Sequence, residues 1–298
     1  MSTISCKSKE TKIDFEKFLT TITMLADSEV GCRRRQSPLI WLIIISVLLT
    51  AIIVGGGVFW WQQMANRKSI IRLKTQITNL QKRINDLETK ERALAELEKI
   101  FPVIENKLPD WSKIWQTMVL GFNCHSFSWQ AETTITQELI PFNPEESSFQ
   151  LRTPFYIYSP DKTKFLDIYI GMEVWEEAGK LKAGFGPDHG VGLGDLKTNQ
   201  LKILLFCGTT GNYDNGLWLD NDQFVITGFA EYFSKSEEEK KVLDNKIYYV
   251  ALLYFFNLAR NKMTVYSGPK VEGKFFQRIY QRSLREQFRN KFPNIIFD

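Results

Sequence analysis

"LIWLIIISVLLTAIIVGGGVFWW", Leu39–Trp61, runs for 23 residues without a charge. At about 1.5 Å per residue such a helix spans roughly 34 Å, enough for a hydrocarbon core of about 30 Å with some tilt. Trp41 stands near one end and Trp60 and Trp61 at the other, where amphipathic rings favour the membrane–water interface. Pro38 falls in the first turn, where its missing N–H costs nothing. The run is too long for a cleaved signal peptide, its polar lead is too extended, and no small-x-small pattern follows it. The stretch therefore predicts a single transmembrane helix over 39–61. Ala51 and Gly55 have the small-xxx-small spacing that lets two such helices approach closely.

The charge of the chain collects around this span. Residues 1–38 carry a net +2 and residues 66–100 a net +4, whereas the 198 residues from Phe101 carry −2. Such a distribution fits a lipid-facing collar and excludes a dedicated nucleic-acid binder. Arg33, Arg34 and Arg35 precede the span, and Arg67, Lys68, Arg72 and Lys74 follow it at slightly greater distance. The compact triplet and the mass beyond the span favour a cytoplasmic segment 1–38 and an extracytoplasmic C-terminal part.

Beyond the span, Ile70, Ile77 and Ile84 recur every seven residues, with Leu73, Leu80, Leu87 and Leu94 three residues after each a position. Ile at a with Leu at d favours a parallel two-stranded coil. Arg83 at g and Glu88 at the following e have the spacing of an interchain ion pair. Glu91 occupies the fourth a position, Leu97 and Phe101 leave the pattern, and Pro102 predicts the end of the helix. Residues 66–101 thus read as a coiled-coil stalk about 50 Å long, with a homodimer as the expected assembly. A span, a coil and a distal part resemble the layout of bitopic bacterial envelope proteins.

Residues 103–121 read as a helical adaptor, with Trp111, Ile114, Trp115 and Met118 at helical spacing. From Phe122 short β-rich runs are punctuated by Gly, Pro and Asn-Asp turns. With 22 Phe and 8 Trp the chain has ample apolar surface for a core. An internal repeat is present. "SPDKTKF" (159–165) and "WLDNDQF" (218–224) align without a gap, matching Asp161 with Asp220 and Phe165 with Phe224. Further on, "DLKTNQLKI" (195–203) aligns with "NLARNKMTV" (257–265), matching Asn199 with Asn261. In each unit an aspartate turn opens an apolar strand, and a strand, polar turn and strand follow. Residues 158–268 resemble two blades of β-propellers of the WD and Tol-associated periplasmic types, in which "SPDG" opens a strand and "DL-x-T-x" turns the next hairpin. Two units cannot close a propeller, so a compact two-sheet sandwich is expected.

The tail over 272–291 returns to helical spacing. Phe275, Ile279, Leu284 and Phe288 are expected to cover a sheet, and Arg278, Arg282, Arg285, Arg289 and Lys291 to form an outer stripe. The expected fold class is a membrane-anchored α+β protein. It has one transmembrane helix, a coiled-coil helix and a mainly antiparallel β domain of two blade-like sheets with a C-terminal helix.

Signals for chemistry are sparse. His125 beside Cys124 lacks an orienting third group, and "GVGLGD" (190–195) is followed by a strand where a phosphate loop needs a helix. Its glycines read as loop or bulge residues. "DNGLWLDND", with Asp214, Asp220 and Asp222, fails the spacing of a calcium loop. The residues available to a site in the β-domain loops are Asp188, His189, Asp220 and Asp222, which would suit a membrane-tethered hydrolase or carbohydrate-active enzyme. Neither a metal nor an organic cofactor is indicated. Of the four cysteines, Cys6 and Cys32 precede the span, and Cys124 and Cys207 are available for a disulfide in an oxidising compartment. The chain has no Asn-x-Ser/Thr acceptor, which favours a bacterial or otherwise unglycosylated protein over a eukaryotic surface protein. The expectation is a single-pass protein with membrane lipid around its helix, an interaction or sensing domain and a protein partner for that domain.

Overall fold

The computed structural model describes residues 38–135, 139–233 and 246–297. The segment before Pro38, with Cys6, Cys32 and the arginine triplet, lies outside the described residues. The chain divides into two units, Met1–Asn79 and Leu80–Asp298.

Helix α1, Pro38–Lys107, contains the apolar run and is long and apolar enough to cross a membrane. Among the described side chains, Leu42 and the large apolar residues from Ile45 to Trp61 are exposed. Pro102 lies inside this helix and does not end it. An interior proline costs about 3 kcal/mol through a lost hydrogen bond and a ring clash. Here packing outweighs that cost, because Phe101 and Ile104 on either side are fully buried in the domain core. Leu108 separates α1 from α2, Pro109–Met118, whose Trp111, Ile114 and Trp115 are buried.

The strands that follow are β1 (Ser128–Thr134), β2 (Leu139–Pro141), β3 (Ile157–Tyr158), β4 (Lys164–Glu177), β5 (Lys180–Asp195), β6 (Gln200–Cys207), β7 (Gly211–Trp218), β8 (Gln223–Glu231), β9 (Tyr248–Asn257), β10 (Lys262–Glu272) and β11 (Ile295–Phe297). Short helix α3, Ser147–Arg152, precedes β3, and α4, Gly273–Lys291, follows β10. One sheet has the order β2-β6-β5-β4-β3, with β11 parallel to β5, and the other has the order β1-β10-β9-β8-β7. Each sheet therefore contains a four-strand antiparallel meander, β3–β6 and β7–β10, and no closed propeller forms among the described residues.

The aligned sequence segments fall on equivalent turns. The Asp161 carboxylate accepts from Thr163 N–H, and that of Asp220 from the N–H groups of Asp222 and Gln223. Asp195 and Asn257 cap the later turns in the same way, accepting from Lys197 and Arg260 N–H. Asn199 and Asn261 take left-handed φ values of 53° and 52°, a conformation asparagine tolerates better than most residues. Leu196 N–H donates to Thr163 O at 2.9 Å and Leu258 N–H to Asp222 O at 2.8 Å, tying the two turns of each meander together.

The β7–β10 sheet is buried on both faces, which explains the uninterrupted "FVI" of β8. Phe224, Ile226 and Phe256 enter a core shared with Leu166, Ile168, Val191 and Leu193 of the other sheet. Val225, Leu253, Phe255 and Tyr266 face a second core. That core is built from Ala93, Leu97, Ile100, Phe101 and Ile104 of α1, with Trp115 of α2 and Phe276 and Tyr280 of α4. Of the expected covering face of α4, Ile279 packs on the second core and Phe288 is buried in the first, whereas Phe275 is exposed with the Arg278 guanidinium over its ring and Phe276 is buried in its place. The side chains of Arg282, Leu284 and Arg285 lie outside the described part.

The "GVGLGD" glycines lie within strand β5, where the β5–β6 register shifts between Val191 and Gly192, so the bulge alternative holds and the loop does not. These glycines make room for the opposite side chains: a Cβ on Gly194 would meet the Phe165 ring at 2.0 Å, and one on Gly192 would meet Ile170 and Leu201.

Candidate functional site

The four residues available to a loop site stand at two separate places. Asp220 caps the β7–β8 turn through its own backbone, and Asp222 pairs with Lys164 Nζ at 2.9 Å. The same ammonium donates to Asn221 O, and Asp161 N–H donates to Asn221 Oδ1 at 3.0 Å. These aspartates stitch the openings of the two meanders together. Asp188 and His189 lie on β5, whose Asp195 is the residue opposite Lys164. Six residues of strand, about 20 Å, separate His189 from that end. His189 stands across from Cys207 in the ladder. Burial lowers the His189 pKa, keeping the imidazole neutral, and raises that of the Cys207 thiol, so the pair lacks a reactive thiolate.

Cys124 and Cys207 do not form the disulfide that was an option from sequence. Both thiols are free, Cys124 packing on the core beneath the helices and Cys207 on the core between the sheets. Among the described residues no group of three or more His, Cys, Asp and Glu side chains is arranged to hold a metal ion.

The heptad positions Ile70, Leu73, Ile77, Leu80, Ile84 and Leu87 are all exposed by more than half, while Leu94 is half-buried. Within the second unit the helix uses two faces. At about 100° per residue, Leu80, Ile84 and Leu87 centre about 120° around the axis from Ala93, Leu97, Ile100, Phe101 and Ile104, which enter the domain core. Leu94 falls between the two directions. An apolar stripe therefore remains uncovered on a helix whose other face is already engaged.

A more unusual environment surrounds Asp214. The β7–β8 register passes from Tyr213 opposite Gly228 to Asn215 opposite Thr227, so Asp214 is the extra residue of a β-bulge. The bulge turns its carboxyl inward, leaving the residue 5% exposed. The Tyr280 hydroxyl of α4 donates to Oδ1, whereas Oδ2 has no hydrogen-bond partner among the described residues. Burial pushes the Asp214 pKa well above the carboxylate range. Tyr169 of β4 is held protonated, first by its own burial and then by the nearby Asp214. Lys291 Nζ donates to the Tyr169 hydroxyl at 3.5 Å, and burial lowers its pKa. These groups border a cleft of about 350 Å³ between the α1–α2 junction, the bulge and the end of α4. Although Asp214 was legible as an acidic residue, nothing in "NYDNGLW" marks it as buried, because the bulge depends on pairing with β8.

A second cavity of about 410 Å³ opens on the far face of the β3–β6 sheet and is walled by Phe142, Phe149, Tyr156 and Phe165. At its floor Arg152 donates through Nε and Nη2 to Asp167 Oδ2 at 3.1 and 2.7 Å, and through Nη2 to Tyr169 O at 2.8 Å. Nη1 donates to Met172 O, and Asp167 Oδ1 accepts from Tyr169 N–H. Burial, followed by the field of Asp167, pushes the Tyr156 pKa up to about 12. The charges here are spent on holding α3 and the bulged middle of β4 in place.

Comparison with family models, with curated proteins and with solved structures gives no match for this chain.

Proposed function

We propose that the chain is a single-pass membrane protein that presents a β-rich interaction or sensing domain on a self-associating stalk. The observation that carries this reading is the exposed Ile/Leu stripe from Ile70 to Leu87, with the a/d alternation of a parallel two-stranded coil. Because Ala93–Ile104 engage the domain through a different face, pairing at the stripe leaves the domain core undisturbed. The blade-like turns support a protein-binding role, with partners meeting the exposed hairpins. The N-terminus lies in the cytoplasm and the domain on the other side, with the basic residues on both flanks of the span against lipid headgroups.

Single cysteines at Ile77 or Leu80 are expected to crosslink between copies in native membranes, and a cysteine at exposed Lys82 much less. Only monomer at every position removes the self-association. Topology is read from Leu120→Cys, a fully exposed position. Labelling of intact cells by an impermeant thiol reagent places the domain outside, and labelling only after lysis reverses the orientation.

A further inference from the structure

The cavity on the outer face of the β3–β6 sheet lies over a row of glycines. Val191 and Leu193 of β5 enter the core between the sheets, so Gly190, Gly192 and Gly194 fall on the opposite face. The middle strand thus offers no side chain there, and Phe165, Ile170 and Leu201 from its neighbours lean over it. The segment from Phe142 to Arg152 walls the hollow, whose volume of about 410 Å³ falls among those of small-molecule sites, about 300–1,000 Å³. The side chains that reach the space are mostly carbon. Ile140, Phe142, Phe149, Tyr156, Leu201 and Ile203 line it, and each keeps part of its surface exposed. Behind them the buried Phe165 ring packs on Phe142, Phe149 and Tyr156 at 5.7, 5.7 and 4.2 Å, and Phe142 stacks on Phe149 at 5.0 Å. The ring cluster is therefore fixed before any ligand arrives.

The charges in the lining restrict what can enter. Arg152 and Asp167 at the floor neutralise each other, and four of the five guanidinium N–H groups go to Asp167, Tyr169 O and Met172 O. An anion finds no free counter-charge there and meets Glu146 at the mouth, while a cation finds Asp167 already paired. We infer that this cavity binds a small uncharged ring compound, seated against the rings of Phe142, Phe149 and Tyr156. A flat ring gains face and edge contacts with aromatic walls beyond burial alone, whereas an alkyl chain gains burial only. The ligand class gives the sensing reading its content and rests on that reading only for its purpose. Binding is measured apart from stalk pairing, so either can fail alone.

The test uses the full chain in detergent micelles, titrated into 5-fluoroindole and followed by fluorine NMR, with empty micelles as the reference for partition. A saturable component above the micelle background is expected. Ile140→Trp and Ile203→Trp each place an indole of the protein's own in the cavity and should weaken binding about tenfold or more. Ile140 is 44% exposed, so its variant should keep the thermal midpoint of the unaltered chain and serves as the folded control. 5-Fluoroindole-2-carboxylate and 5-fluorotryptamine carry the same ring with a charge and should bind about tenfold more weakly or worse. The inference is overturned if only micelle partition is seen, if both filled variants bind like the unaltered chain, or if either charged derivative binds as tightly. It is also overturned, in favour of an alkyl chain, if decanol displaces the probe at a lower free concentration than unlabelled indole does.

Discussion

Asp214 makes folding depend on pH in a direction opposite to that of most carboxylates. Its folded-state pKa is raised by burial, so the folded chain holds the proton more tightly than the unfolded one. Its contribution is therefore most favourable below the unfolded value of about 4 and declines as pH rises toward the folded value. Tyr280 faces it from α4 and Tyr169 from β4, with Lys291 beyond Tyr169 and Cys207 nearby on β6. None of these supplies a cation in contact with the carboxyl. Asp214→Asn is expected to raise the thermal midpoint by a few degrees at pH 8 and to change it little at pH 4. Equal shifts at both pH values would remove burial of the charge as the cause. Arg152 behaves differently, since it and Asp167 satisfy each other. Arg152→Met should cost about 3–5 kcal/mol by stranding the Asp167 charge, and adding Asp167→Leu should recover most of it. Denaturant midpoints of the two variants measure both quantities.

At the scale of elements, α1 offers the sharpest contrast between faces. Ile77→Lys should abolish interchain crosslinking while leaving the melting of the β domain unchanged. Leu97→Ala should do the reverse, destabilising the domain by about 2–5 kcal/mol because its side chain is 1% exposed. Pro102→Ala restores a helical N–H within α1 and should raise the thermal midpoint. How far these elements could be read in advance follows from what each depends on. The apolar run and the aspartate turns depend on near neighbours, and their spacing survives in the linear sequence. The passage of α1 through Pro102 depends on a core assembled from α2, α4 and three distant strands. The burial of Phe276 on α4 where Phe275 was expected depends on the same core. The glycines of β5 depend on Phe165 and Ile170 across the ladder. Cross-strand register, which puts Asp214 in a bulge and parts Cys124 from Cys207, has no local signature.

For the whole second unit, the helices form one layer, the β7–β10 sheet the middle layer and the β3–β6 sheet the outer one. The C-terminal part of helix α1 is thus part of the domain's core. A truncated chain beginning at Leu80 retains Ala93, Leu97, Phe101 and Ile104 and is expected to melt cooperatively. One beginning at Pro109 loses all four and should give no cooperative transition by near-ultraviolet circular dichroism.

The Tyr266 hydroxyl of β10 donates to the Ala93 carbonyl at 2.8 Å, just where the helix first enters the core. That bond and the buried side chains below it work as a keyway on a shaft. A twist imposed on the helix at Leu80 reaches Ala93 with no joint to absorb it, so it arrives as shear on β9 and β10. In this geometry the helix carries torque from its Leu80 end to the sheet.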